Sequence, residues 1–186
     1  ALNLDHLLEG TRVVFCSSTS VYAGRGGEVI TEDSPPKADS ERAGILLRAE
    51  TVILNSGGVV ARLAPLYGEE RCELVRRFRE GLPALPGADD RVLNYLHVED
   101  AADALLLLGT QPWLQYGVYN VCGESFTKKE IYAQLQEIFG IETGPECSGP
   151  SQRGMSDMRV DCTRIRELGW EPICSVPELA RDWKAR

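Results

Sequence analysis

Apolar positions along this chain come in blocks, and the spacing inside each block changes between the strand and the helix pattern. "TRVVFCSS" (11–18) is β-branched and continuously apolar at its centre, which predicts a strand covered on both faces. Residues 41–55 carry apolar side chains at 45, 46, 49, 52 and 53, the spacing of a helix. "GGVVARLAPLYG" (57–68) predicts a second buried strand, broken at Pro65, and "RCELVRRFREG" a helix running from Arg71 to Gly81. "RVLNYLHVED" (91–100) alternates and feeds a helix containing "ALLLLG", with Asp100 as the expected N-cap and Asp103 at its positive end. "GVYNVCG" (117–123) is another strand. Thr127 opens a further helix with Glu130 three residues on, a capping-box spacing.

At the ends, "LNLDHLLEG" fits the last turns of a helix stopped by Gly10, and "VPELARDWKAR" predicts a final amphipathic helix. Strands alternating with helices imply the α/β class, one domain over 1–186 with a parallel sheet packed by helices on both faces. A doubly wound nucleotide-binding sheet also begins with a strand, a glycine-rich turn and a helix. Neither "GRGGE" (24–28) nor "NSGG" (55–58) has that context, so the expectation is a partial Rossmann-like sheet without its N-terminal glycine-rich βαβ unit.

Composition narrows the function. With 28 acidic and 20 basic residues and a net charge of -8, the chain lacks the basic stripe that nucleic acid demands. Its longest strongly apolar run, at 104–109, is too short for a membrane span, so a cytoplasmic protein with neither partner is expected. Six cysteines without a C-x-x-C pair, and two histidines far apart, predict no metal site. Cys16 and Cys122, inside apolar runs, are expected as small buried hydrophobes.

Five strings, "VVFCSSTSVYAG", "VVARLAPLYGEER", "VLNYLHVEDAADAL", "VYNVCGESFTKKEIY" and "RIRELGWEP", together resemble, in order and spacing, the C-terminal two thirds of the NAD-dependent epimerase/dehydratase family. This is the extended short-chain dehydrogenase/reductase group, and the wording "SSTSVY" is most similar to an atypical bacterial subgroup. The resemblance implies a small C-terminal subdomain beside the sheet, and NAD or NADP as cofactor, with weak or absent binding by this chain because the glycine turn is missing. It implies a nucleotide sugar or similar polar small molecule as substrate, and pairing of two copies through the helix at 41–55.

The same resemblance implies roles. Ser18, four positions before Tyr22, would hold the substrate's reacting oxygen. Ser17, Pro65 and Leu66 would lie beside the cofactor. Arg71 would meet an anionic substrate group, and Asn94 and His97 would line the substrate pocket. The family's acid/base pair, a tyrosine followed four residues later by a lysine whose charge lowers the phenol's pKa, belongs early in the helix at 41–55. Residues 40–50 read "SERAGILLRAE", and no tyrosine lies between Tyr22 and Tyr67 and no lysine between Lys37 and Lys128.

Several residues therefore carry two readings. Ser18 is a substrate contact, or a serine bonding the next turn. Tyr22 is a displaced acid/base, or packs beneath the following loop. His97 titrates usefully near neutrality, or ties its strand to the adjacent loop. Arg71, a cation opposed by the dipole of the helix it opens, binds an anion or is merely solvated. Asp157 and Arg159 are expected as a surface pair, and Trp170 as a packing residue. The function expected is an NAD(P)-binding epimerase/dehydratase-like protein without ordinary Tyr/Lys catalysis; the alternative is a dinucleotide-binding sensor or scaffold.

Overall fold

The computed structural model describes residues 12–22, 24, 26–69, 71–82, 90–111, 114, 116–141 and 157–185. The expected helix ahead of Gly10 lies outside them. The β-branched runs form the central sheet, because branched side chains pack well on a pleated surface. Strands β1 (Val14–Ser18), β3 (Val59–Leu63) and β6 (Gly117–Val121) are parallel, in the order β1-β3-β6. Val14 pairs with Val59, and Val59 with Gly117.

Helix α1 (Glu41–Asn55) starts where Ser40 accepts a hydrogen bond from the Ala43 N–H at 3.1 Å. It packs on the sheet face bearing Ser17 and Arg62, which are paired residues of β1 and β3. Three positions from Ser17, Val14 points to the opposite face, which α3 (Val98–Thr110) covers, with Gly109 over Val14. Helices therefore lie on both faces of the sheet. Gly58 makes the turn from α1 into β3 close tightly: a Cβ there would come within 2.6 Å of Ile53 Cγ2.

Short strands build the second layer. β4 (Leu66–Tyr67) runs parallel to β5 (Val92–His97), and β7 (Glu124–Thr127) antiparallel to β5. β2 (Glu28–Ile30) pairs in parallel with β8 (Met158–Val160). Helices α2 (Glu73–Arg79), α4 (Lys128–Phe139) and α6 (Val176–Ala185) pack together beside this layer around Leu74, Phe78, Ile131, Leu135 and Trp183. The short α5 (Thr163–Arg166) lies against β6. The capping box on α4 forms as its spacing predicts: Thr127 Oγ1 accepts from Glu130 N–H, and the Glu130 carboxylate from Thr127 N–H.

Five local expectations are corrected. Among the described residues β1 pairs with β3 alone and Cys16 is exposed, against the expected cover on both faces, whereas Cys122 is buried as expected. Along α1, the buried positions are Ala43, Glu50 and Ile53, with Leu46 and Leu47 against the core. Ile45 and Val52 face outward, 51% and 48% exposed, because Arg62 attracts the helix side that carries Glu50. Helix α3 is capped by His97, whose ring nitrogen Nδ1 accepts from Glu99 N–H at 3.3 Å. Asp100 instead sits buried in the first turn. Arg71 does not open a helix; it precedes the Cys72 N-cap of α2 and makes a two-bond backbone bridge with Gly68. Asp157 and Arg159 do not pair: Asp157 accepts from the N–H groups of Gly26 and Val92, and Arg159 donates to the Ser125 carbonyl.

Candidate functional site

The parallel strands β1 and β3 end at the same level, Ser18 opposite Leu63, so Ser18 and the exposed Pro65 and Leu66 share the carboxyl edge of the sheet. Ligands of open α/β sheets bind at that edge. Ser18 caps the 3-10 turn Thr19–Val21, its Oγ accepting from Ser20 N–H at 3.2 Å. Its hydroxyl proton has no acceptor among the described residues.

Ser17, by strand alternation, points the other way. It donates to Glu50 Oε1 at 2.5 Å, inside a buried network. Arg62 grips both oxygens of the same carboxylate, Nε to Oε1 at 3.1 Å and Nη2 to Oε2 at 2.6 Å. Its remaining arm, Nη1, donates to the Tyr22 hydroxyl at 2.6 Å, and that hydroxyl donates to Asn120 Oδ1 at 2.9 Å. Burial pushes the Tyr22 pKa up, and the Arg62 charge and hydrogen bond only partly offset it. A phenol held on both sides with a raised pKa is a poor proton donor or acceptor for a ligand.

Asn94 is likewise engaged within the fold. Its Nδ2 donates to the Met158 carbonyl at 2.8 Å, while its Oδ1 accepts from Ser125 Oγ at 2.7 Å and Val160 N–H at 3.2 Å, tying β5, β7 and β8 together. His97 is buried, its ring edge-on to Tyr67 at 5.0 Å between centroids. Arg71 is exposed, and its guanidinium has no ion-pair partner among the described residues. Of the sequence-derived set, the strand edge thus gathers Ser18, Pro65 and Leu66, while Tyr22, Asn94 and His97 are packed into the interior.

Sequence reasoning missed Glu50 and Arg62. The available signal was a charge inside the apolar run "VVARL", which a buried strand tolerates only with a partner. It also missed a second polar cluster at the start of α3. Asp100 Oδ1 accepts from Ile173 N–H at 2.9 Å and Oδ2 from Cys174 N–H at 3.2 Å, drawing the chain after Trp170 onto the helix. The Trp170 indole N–H donates to the Asp100 carbonyl at 3.1 Å, so the packing expected of it includes a polar tie. His97, Glu99 and Cys174 consequently bring one ligand-type atom each within 4.8 Å of one another. No spacing rule would group residues so far apart in sequence.

This second cluster is electrostatically one-sided. The Cys174 thiol is pushed up to about 11 by burial and by the charges of Asp100 and Glu99. Burial first, then Glu178 and Asp100, raise the Glu124 pKa, although its carboxylate accepts from Val176 N–H. The Tyr67 phenol is raised by burial and by Glu124, Cys174 and Asp100. Tyr67 is 2% exposed, and its hydroxyl has no hydrogen-bond partner among the described residues. Away from both clusters, a cleft of about 550 Å³ lies between α4 and α6, lined by Gln134, Glu137, Ile138, Arg181, Lys184 and Ala185.

No protein-family model matches the sequence. Among curated proteins, the chain is 31% identical over 165 residues to Protein YeeZ of Escherichia coli strain K12, covering 86% of this chain and 57% of that protein. It is 31% identical over 114 residues to GDP-L-fucose synthase 1 of Arabidopsis thaliana, covering 55% of this chain and 34% of that one. Among solved structures, the Thermus thermophilus UDP-glucose 4-epimerase complex with NAD superposes with a TM-score of 0.73 at 26% identity, over 97% of this chain and 66% of that one. MoeE5 in complex with UDP-glucose and NAD superposes with a TM-score of 0.79 at 24% identity, over 95% and 65%. The chain therefore spans a little over half the length of YeeZ and about two thirds of these solved structures.

Proposed function

We propose, for a chain whose structural neighbours are NAD-dependent epimerases and dehydratases, that it forms the ligand-holding portion of an NAD(P)-dependent protein acting on a nucleotide sugar or similar polar small molecule. The observation that carries this reading is the strand edge. Ser18 has a hydroxyl proton without an acceptor among the described residues, beside the exposed Pro65 and Leu66. In this reading Ser18 holds a substrate oxygen, Pro65 and Leu66 pack beside the cofactor, and Arg71 offers its free charge to an anionic group. The bound dinucleotide supplies hydride chemistry. Ser17 acts through Glu50 as a positioning residue.

A non-catalytic sensor or scaffold is the second reading. The network around Tyr22 favours it, since the Tyr22 hydroxyl is held by Arg62 and Asn120 and α1 carries no Tyr/Lys pair. Calorimetric titration of the product of the complete reading frame with NAD and NADP tests the shared premise; binding of neither overturns both readings. These 186 residues alone should bind dinucleotide weakly or not at all, lacking a glycine-rich turn ahead of a helix. Where a nucleotide sugar binds, Ser18→Ala should weaken it about fivefold to tenfold, the worth of one hydrogen bond. Turnover with that sugar separates enzyme from sensor. A homodimer rests on the outward stripe Ile45, Ala49 and Val52 of α1; sedimentation in which Ile45→Glu leaves the mass unchanged overturns it.

A further inference from the structure

We propose that His97, Glu99 and Cys174 form a three-ligand site for a zinc-class divalent cation at the N-terminal end of α3, with a fourth position open to water. The donors are one imidazole nitrogen, one carboxylate oxygen and one sulfur, a borderline-soft set that suits Zn²⁺ better than Mg²⁺ or Ca²⁺. Their atoms lie within 4.8 Å of one another. Tetrahedral ligation needs about 3.5 Å between nitrogen and sulfur. Glu99 is exposed and Cys174 half-buried, so both side chains can close that gap, while the buried His97 is the fixed member.

The support around the ligands is already in place. Asp100 holds the N–H groups of Ile173 and Cys174, anchoring the sulfur ligand to the helix that carries Glu99. Tyr67 sits on the rung of β4 opposite His97, with its ring against the imidazole. Its hydroxyl is buried without a partner among the described residues, and the charges of Glu124, Cys174 and Asp100 reach it.

Two effects oppose binding. The end of α3 carries about half a positive elementary charge. Glu99 and Asp100 bring two full negative ones, and no lysine or arginine pairs with Glu99, Asp100, Glu124 or Cys174 among the described residues. The other cost is the 3.3 Å bond from Glu99 N–H to His97 Nδ1. Ligation at Nδ1 uses that lone pair, and ligation at Nε2 leaves the proton on Nδ1, so the bond is given up either way. The Cys174 proton leaves to solvent as the thiolate binds.

Cobalt(II), a coloured stand-in for zinc, tests this on the 186-residue chain. The expected result is a saturable near-ultraviolet thiolate-to-cobalt band at one equivalent, displaced by Zn²⁺, absent in Cys174→Ser and shifted to tenfold or more weaker affinity, on the order of a lost ligand contact, in Glu99→Gln. Zn²⁺ should also protect Cys174, but not the exposed Cys16, from alkylation followed by mass spectrometry. No saturable band, a band that survives Cys174→Ser, or equal protection of the two cysteines overturns the site. None of these readouts depends on dinucleotide or sugar binding.

Discussion

Two interior polar clusters, one between the sheet and α1 and one at the start of α3, are built on opposite principles. Around Arg62, each strong donor meets an acceptor: Glu50 takes three hydrogen bonds, Tyr22 one, and Asn120 closes the chain. Around Cys174, acids gather without a cation and a buried phenol without a partner among the described residues. A satisfied network rigidifies what it touches, whereas one left unsatisfied is unstable unless something else completes it. The first cluster therefore holds the strand end that presents Ser18, and the second retains unused capacity for a ligand.

The largest test of that contrast is Arg62→Met. It leaves Glu50 buried without its cation, which costs about 3–5 kcal/mol. Replacing both members, Glu50→Leu with Arg62→Met, should recover most of the loss, because a well-packed apolar pair rivals a buried ion pair. Urea unfolding of the single and double variants reads both values. A single-variant cost below about 1 kcal/mol, the range of an exposed pair, would remove the network as the clamp on Ser17 and α1.

A sharper comparison applies one chemical change to both clusters. Tyr22→Phe deletes the oxygen that joins Arg62 to Asn120, and should destabilise the chain by about 1–3 kcal/mol. Tyr67→Phe deletes a hydroxyl that bonds none of the described residues, and in metal-free protein should stabilise by about 1 kcal/mol. Opposite signs for the same substitution, read by thermal unfolding in the presence of a chelator, are the signature of a closed and an open cluster. Equal destabilisation by both would mean that Tyr67 is as well satisfied as Tyr22.

The first cluster was partly legible in the sequence and the second was not, for physical reasons. Periodicity located β1, α1, β3, β5, β6 and α4, since each carries a long enough apolar repeat or a cap such as Thr127 with Glu130. It missed β2, β7 and β8, which are three or four residues long and owe their pairing to tertiary contacts. In α1 it grouped the core-side Leu46 and Ile53 with the outward Ile45 and Val52, because a charged Glu50 takes a core position once Arg62 is opposite, and charge patterning within one helix cannot reveal a partner on a strand. Ser18 could be placed from its position at the end of an apolar run. Cys174 could not be joined to His97, since only Asp100, reaching across to Ile173 and Cys174, brings the two segments together.

The smallest effect expected separates two carboxylates by sign. Glu130 accepts the Thr127 N–H, and that bond with the Thr127 side chain holds its pKa below the ordinary glutamate value. Glu124 is pushed above it by burial and by Glu178 and Asp100. The depressed group contributes stability above its unfolded pKa, about 4.3, and loses it as pH falls through the lower folded value. The raised group behaves inversely: its folded state is favoured most below the unfolded pKa, and the advantage is lost as pH rises through the folded one. Glu130→Gln should therefore destabilise at pH 7 and become neutral in acid. Glu124→Gln, which keeps an oxygen for Val176 N–H, should stabilise at pH 7, with that gain also fading in acid. Carboxyl-carbon NMR titration of the metal-free chain reads the two pKa values directly. If Glu124 titrates below the ordinary glutamate range, a cation already balances the acids at α3, and the contrast between a closed and an open cluster fails at its weakest point.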